Sequence, residues 1–257
     1  MIEVAASLIA LIICVLLLGY LYKLDIIEKE PQSLIAKAFL FGVISWIPIA
    51  IIEFALRRLL HLLLPQDAIV YPIISCFLCI ALIEEFWKRC AVKMAVWKRP
   101  EFNYHFDAII YSVSVALGYA ACENIGHVFR GGIAVALLRA VTSIPGHAVC
   151  GVIMGYYLGF VKAAETDGAR AESRRCMRKA LLIPVLLHGI YDWCCGIDST
   201  AATVVWSVYV VALDIWAFYF IKKAAQNDTP LARKNDTAVS GDSEEIAHTA
   251  DGEGNGL

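Results

Sequence analysis

The sequence predicts an all-α fold, a polytopic membrane helix bundle of about seven transmembrane helices. Three observations carry that expectation. Of 257 residues, 60% are hydrophobic and only 18% are charged, and a mean hydropathy of +0.66 is too high for a soluble domain of this length. The apolar residues fall into runs long enough to cross a hydrocarbon layer, for which about 20 helical residues suffice. Basic residues gather on alternate connections between those runs, the pattern that orients membrane helices. A net charge of −2 leaves no electrostatic footprint for nucleic acid, so that class of partner is excluded.

The first run spans 3–22. From Val4 to Tyr22 it has neither a basic leading segment nor a small-residue cleavage site, so it reads as a retained helix. The second spans 34–54 and leads into Glu53-Phe54-Ala55-Leu56-Arg57-Arg58. Glu53 and Arg57 are one turn apart and can pair, which suits an amphipathic extension on the outer surface. The third, 70–97, contains Cys76-Phe77-Leu78-Cys79. A CxxC spacing can serve metal or redox chemistry, but inside an apolar helix these thiols read as packing groups. The fourth and fifth runs are 107–128 and 132–163. The fifth would be about 48 Å long as a single helix, so a break is expected near Pro145. The sixth and seventh are 178–195 and 200–222. From 224 to 257 the composition turns polar, acidic and Gly-rich, as in a disordered tail, which leaves 1–223 as one integral-membrane domain. With the N-terminus outside and the C-terminus inside, eighteen of the twenty-two Lys and Arg residues lie on the inner side, as the positive-inside rule requires. Arg57 and Arg58 run against it.

Four of these runs carry ionisable groups, which cost roughly 2.5–3.5 kcal/mol each near a bilayer centre and therefore mark functional positions. They are Glu84 and Glu85 with Lys88 in the third, Glu123-Asn124 in the fourth, His147 in the fifth, and His188 with Asp192 in the sixth. Counting about 1.5 Å per residue from the inner end of each helix, Glu85, Glu123, His147 and Asp192 come out at about 20, 24, 22 and 20 Å, and His188 at about 15 Å. Four antiparallel spans thus bring their polar residues to one layer, somewhat outside the midplane.

Each group also has a plainer explanation. Glu84 to Lys88 and Glu85 to Arg89 are i,i+4 pairs and could simply seal a helix end. Glu84 and Glu85 lie about 100° apart, so one is expected to face the site while the other anchors a neighbour. Glu123 can accept protons or bind metal and Asn124 can polarise a carbonyl, yet such residues also bridge membrane helices. A break near Pro145 would put His147 in the first turn of a new helix, where the dipole keeps the ring neutral; Thr142 and Ser143 are candidate caps. His188 and Asp192 share a helical face, so the carboxylate can orient the imidazole. His61, His105, His127 and His248 fall in or near loops or the tail and are read as surface residues.

Glu84-Glu85-x-x-Lys88, Tyr119-x-x-x-Glu123-Asn124, His147 before Gly155-Tyr156, and His188-Gly189-Ile190-Tyr191-Asp192 together resemble the PrsW family of intramembrane proteases. More distantly they are similar to the CAAX prenyl endopeptidase and bacteriocin-processing superfamily. The resemblance covers about 70–195, with Tyr119 where the family usually has Phe. It implies hydrolysis of a peptide bond in a membrane-anchored protein, such as an anti-sigma factor, near the extracytoplasmic side of a bacterial plasma membrane.

Two mechanisms are compatible with these residues. In one, Glu123, His147 and His188 bind Zn²⁺ and Glu84 or Glu85 takes the proton from water. In the other, which the glutamates favour slightly, no metal takes part; a glutamate and a His activate water, and Asn124 donates to the oxyanion. A proton-coupled transporter, favoured by the lone Asp214 of the last run, and a non-catalytic scaffold are the rival readings.

Overall fold

The structure, a computed structural model, describes residues 2–231. Among these the chain is helical: α1 (Ile2–Leu24), α2 (Gln32–Leu63), α3 (Val70–Ile74), a π-helical segment (Ser75–Ala81), α4 (Leu82–Val96), α5 (His105–Val141), α6 (Ser143–Thr166), α7 (Arg170–Cys195) and α8 (Thr200–Gln226). Five helical stretches are long and apolar enough to cross a membrane: Ala6–Leu24, Gln32–Leu63, Val70–Val96, His105–Thr166 and Thr200–Gln226. The fourth has 62 residues, far more than one crossing needs, and it doubles back at Gly132, whose φ of 70° and ψ of −168° interrupt α5, so that Gly151 lies against Val113 and Gly155 against Ala108. α7 is not among the five, because Arg170 to Lys179 belong to the helix itself and make its first half basic.

The central element is α5, whose residues from Phe106 to Ala121 are all buried, whereas α1, α2 and α8 present Leu, Ile, Val and aromatic side chains outward. A lipid-facing surface needs no polar cover. What lets the inner helices approach is small residues, as expected where packing rather than hydrophobic exclusion drives association. Gly42 of α2 lies against the Val115 carbonyl and Gly118 of α5 against the Phe39 carbonyl, while Gly155 of α6 meets the Ala108 carbonyl. These contacts hold α5 between α2 and α6 and set the position of Glu123, five residues beyond Gly118.

Several expectations change. The break expected near Pro145 falls three residues before it, at Thr142, and Pro145 takes the third position of α6, in the first turn, where a missing N–H is tolerated. Thr142 does stand at the cap position but makes no capping bond; its hydroxyl donates to Leu138 O. α2 runs unbroken through Arg57 and Arg58 to Leu63, and Glu53 makes no ion pair with Arg57 among the described residues, since it turns inward instead. Residues 224–231, assigned to the tail from composition, continue α8 to Gln226 and then pack back: His105 N donates to Thr229 O, Leu231 N to Asn103 O, and Phe106 N to Asp228 Oδ1. The rest of the expected tail, with His248, lies outside the described residues.

Candidate active site

Lys88 occupies the middle of the site. It is 1% exposed, and its Nζ lies 2.9 Å from Glu84 Oε2, 2.9 Å from Glu85 Oε1 and 3.0 Å from His147 Nδ1, with the Tyr119 ring centroid 4.3 Å away. Taking an ammonium out of water costs several kcal/mol, and only close countercharges with good hydrogen bonds offset it. Both glutamates supply them. The expectation that just one would face the site is therefore corrected: positions i+3 and i+4 flank the same stripe of the helix, so one lysine reaches both carboxylates despite the angle between them. The Glu85–Arg89 pair does not form, and Arg89 donates to Met177 O instead.

Bonding around Lys88 fixes the proton on His147. An ammonium can only donate, so His147 Nδ1 accepts and Nε2 carries the hydrogen, which it gives to Glu123 Oε2 at 2.9 Å. The His188 ring stands almost perpendicular to it, with centroids 5.2 Å apart. His188 Nδ1 lies 3.0 Å from Glu85 Oε1; a carboxylate only accepts, so Nδ1 carries a hydrogen. On the other side Nε2 is 3.5 Å from Asp192 Oδ2, too long for a good hydrogen bond. α7 can come this close because Gly189 lies directly against the Phe77 ring of the π-helical segment. Such segments widen the helix and are frequent at functional sites; here it precedes Glu84 by three residues.

Glu123 is held from several directions: Arg139 Nη2 at 2.6 Å, His147 Nε2 at 2.9 Å and His127 Nε2 at 3.4 Å. Asn124 turns away from the role of oxyanion donor. Its Nδ2 donates to Ala120 O in its own helix, and its Oδ1 accepts from Arg139 Nε, so it orients Arg139. Three residues of this neighbourhood escaped the sequence reading. His127, assigned to the surface, contacts Glu123, and Arg139 lies beside it. Glu53, assigned to an outer extension, is within electrostatic reach of Glu84, Glu123, His188 and Lys88. A lone Arg between Ala134 and Val141, in an otherwise apolar stretch, was a readable signal.

A cavity of about 30 Å³ opens against Glu123, Arg139, His147, His188 and Asp192. One water needs about 10–15 Å³ of such space and two to four polar partners, so water fits here. Glu84 and Glu85 lie behind this wall. Metal donors converge as well, since Glu84, Glu85, His147 and His188 each offer a ligand atom, all within 4.8 Å of one another. Glu123, expected in the metal set, instead meets the far nitrogen of His147.

Buried acids, bases and a water-sized cavity inside a bundle of membrane-spanning helices define a class, the intramembrane hydrolases. The chain belongs to the PrsW family, because the model of the PrsW family intramembrane metalloproteases matches residues 30–220, and it is accordingly an intramembrane protease acting on a protein substrate. It is 37% identical over 211 residues to Protease PrsW of Oceanobacillus iheyensis, covering 82% of this chain and 92% of that protein. It is 31% identical to Protease PrsW of Bacillus subtilis over 209 residues, covering 81% and 88%, and 32% identical to that of Clostridioides difficile over 189 residues, covering 72% and 76%. No solved structure matches the chain.

Proposed function

We propose that this protease cuts a membrane-anchored protein, of which an anti-sigma factor would be one example, near the extracytoplasmic side of a bacterial cytoplasmic membrane. The distribution of Lys and Arg supports an N-out, C-in orientation with about seven crossings, and the bacterial relatives support the location. The observation that carries the mechanism is His188: Glu85 holds its Nδ1 hydrogen, and its Nε2 lies on the side of Asp192, with which His188 lines the cavity.

In this mechanism Glu85 orients the His188 ring as the carboxylate does in a catalytic triad, and Nε2 acts as general base. A cavity water attacks the scissile carbonyl carbon, its proton passing to Nε2. Collapse of the tetrahedral species breaks the C–N bond as His188 returns that proton to the leaving amine. Arg139, positioned by Asn124 and Glu123, donates to the oxyanion in place of Asn124. Lys88 donates to both glutamates and to His147 Nδ1, and His147 Nε2 donates in turn to Glu123.

The donor set also fits a divalent ion of the zinc type in kind, and Glu84, Glu85, His147 and His188 would hold it. When bound, such an ion polarises the carbonyl and lowers the pKa of water. Lys88 is bonded to three of those four residues, so ammonium and ion would compete for the same lone pairs. Metal analysis of the purified protein, with cleavage assayed before and after chelation, separates the two readings. The His188 mechanism predicts cleavage that survives chelation and stops in His188→Ala. Loss on chelation and recovery with Zn²⁺ would overturn it in favour of the metal, leaving the protease itself in place.

A further inference from the structure

Asp214 of α8 is the one ionisable group on the cavity wall that nothing so far explains. Among the described residues it makes no hydrogen bond or ion pair, and it lines the cavity together with Glu123, Arg139, His188 and Asp192. Every other charge there has an ionisable neighbour. Glu123 has Arg139 and two imidazoles, Asp192 Oδ2 lies 3.5 Å from His188 Nε2, and Arg139 is matched by Glu123 at 2.6 Å. A carboxylate left alone at membrane depth is costly unless something pairs with it.

The position of Asp214 indicates what that partner is. Tyr209, Val210, Leu213 and Asp214 form one face of α8 along the cavity. Leu187 and Leu213 then continue into a second, apolar groove of about 360 Å³, whose walls include Ile183, Tyr156, Trp216 and Phe220. The two spaces share those leucines, so a chain lying in the apolar groove leads directly past Asp214 to His188. Resting on the protease reading above, we propose that Asp214 is a substrate subsite that takes a cationic side chain, Lys or Arg, close to the scissile bond, while the adjoining groove takes the apolar residues of the same chain. A substrate of this pattern carries a basic residue at the edge of its membrane span. Arg139 does not oppose the incoming cation, because its charge is already met by Glu123.

The test uses the purified full-length protein in detergent and internally quenched peptides with an apolar stretch. The residues flanking the cleaved bond are varied among Lys, Arg, Ala and Glu, and kcat/KM is read for each. Wild-type protein is expected to prefer Lys or Arg over Ala by about tenfold or more. Asp214→Asn, which keeps size and shape, should reduce that ratio to about twofold or less, and Asp214→Lys should shift the preference to Glu. Cleavage of these peptides without a basic preference, or with the same preference in Asp214→Asn, would overturn the proposal while the protease reading stands. If wild-type protein cleaves none of the peptides and no membrane-anchored protein either, the reading beneath the proposal fails and the proposal falls with it.

Discussion

Replacing Lys88 with Met would leave Glu84 and Glu85 buried side by side without a cation. Removing one partner of a buried ionic group costs about 3–5 kcal/mol, so Lys88→Met should lower the melting midpoint in detergent sharply and Lys88→Arg should not restore it, since a planar guanidinium cannot take the place of a compact ammonium. Glu85→Gln tests a different property. It retains shape and leaves Glu84 as a countercharge of Lys88, so cleavage should fall about 10²- to 10⁴-fold with a smaller loss of melting midpoint than in Lys88→Met. At this scale the sequence was largely readable, because an acid or imidazole in an apolar run stands out. What it hid was direction. Glu53 looked like a surface partner for Arg57, and Asn124 looked like an oxyanion donor, whereas helix rotation turned the first towards the site and the second onto Arg139.

The helices meet through glycines, and the element scale makes its own prediction. A Cβ at Gly118 would press on the Phe39 carbonyl, and one at Gly155 on the Ala108 carbonyl. Backbone cannot yield as a side-chain end can, so Gly118→Val should separate α2 from α5, costing about 1–3 kcal/mol and displacing Glu123 from His147. Cleavage should therefore fall more than expression does. Gly19, with open space around it, gives the control: Gly19→Val should leave cleavage unchanged. Element existence and order followed from the apolar runs. The ends did not, because hydropathy cannot tell a basic helical turn from a loop, as at Arg170 to Lys179, although the break expected near Pro145 does fall close to it, at Thr142. The π-helical segment had no sequence signature at all.

Across the whole molecule, charge is distributed between the buried centre and the connection from α1 to α2. There Asp25 and Glu30 are buried, with the Tyr111 hydroxyl donating to Glu30, and burial pushes both carboxyls above their usual range. The folded protein thus holds these protons more tightly than the unfolded chain. The stability they contribute is present below the ordinary carboxyl range, about 3.9–4.3, and is lost as pH rises through the raised values. The melting midpoint should fall as pH rises above that range, and Glu30→Gln, still able to accept from Tyr111, should flatten that fall, each kcal/mol being worth about 2–4 °C; an unchanged slope would remove Glu30 from the explanation. The convergence of four helices was legible from residue counting, which put Glu85, Glu123 and His147 in one layer, but it placed Asp192 there and His188 lower, whereas His188 is the α7 residue that bonds Glu85. The pocket walls were not legible, because they depend on α8, which carries no motif. The most direct test of the central claim is cleavage of a panel of single-span membrane proteins by purified wild-type protein and by His188→Ala in the same lipid. The account predicts one defined cut by the wild type and none by a variant that folds equally well, and an undiminished cut by His188→Ala would contradict it.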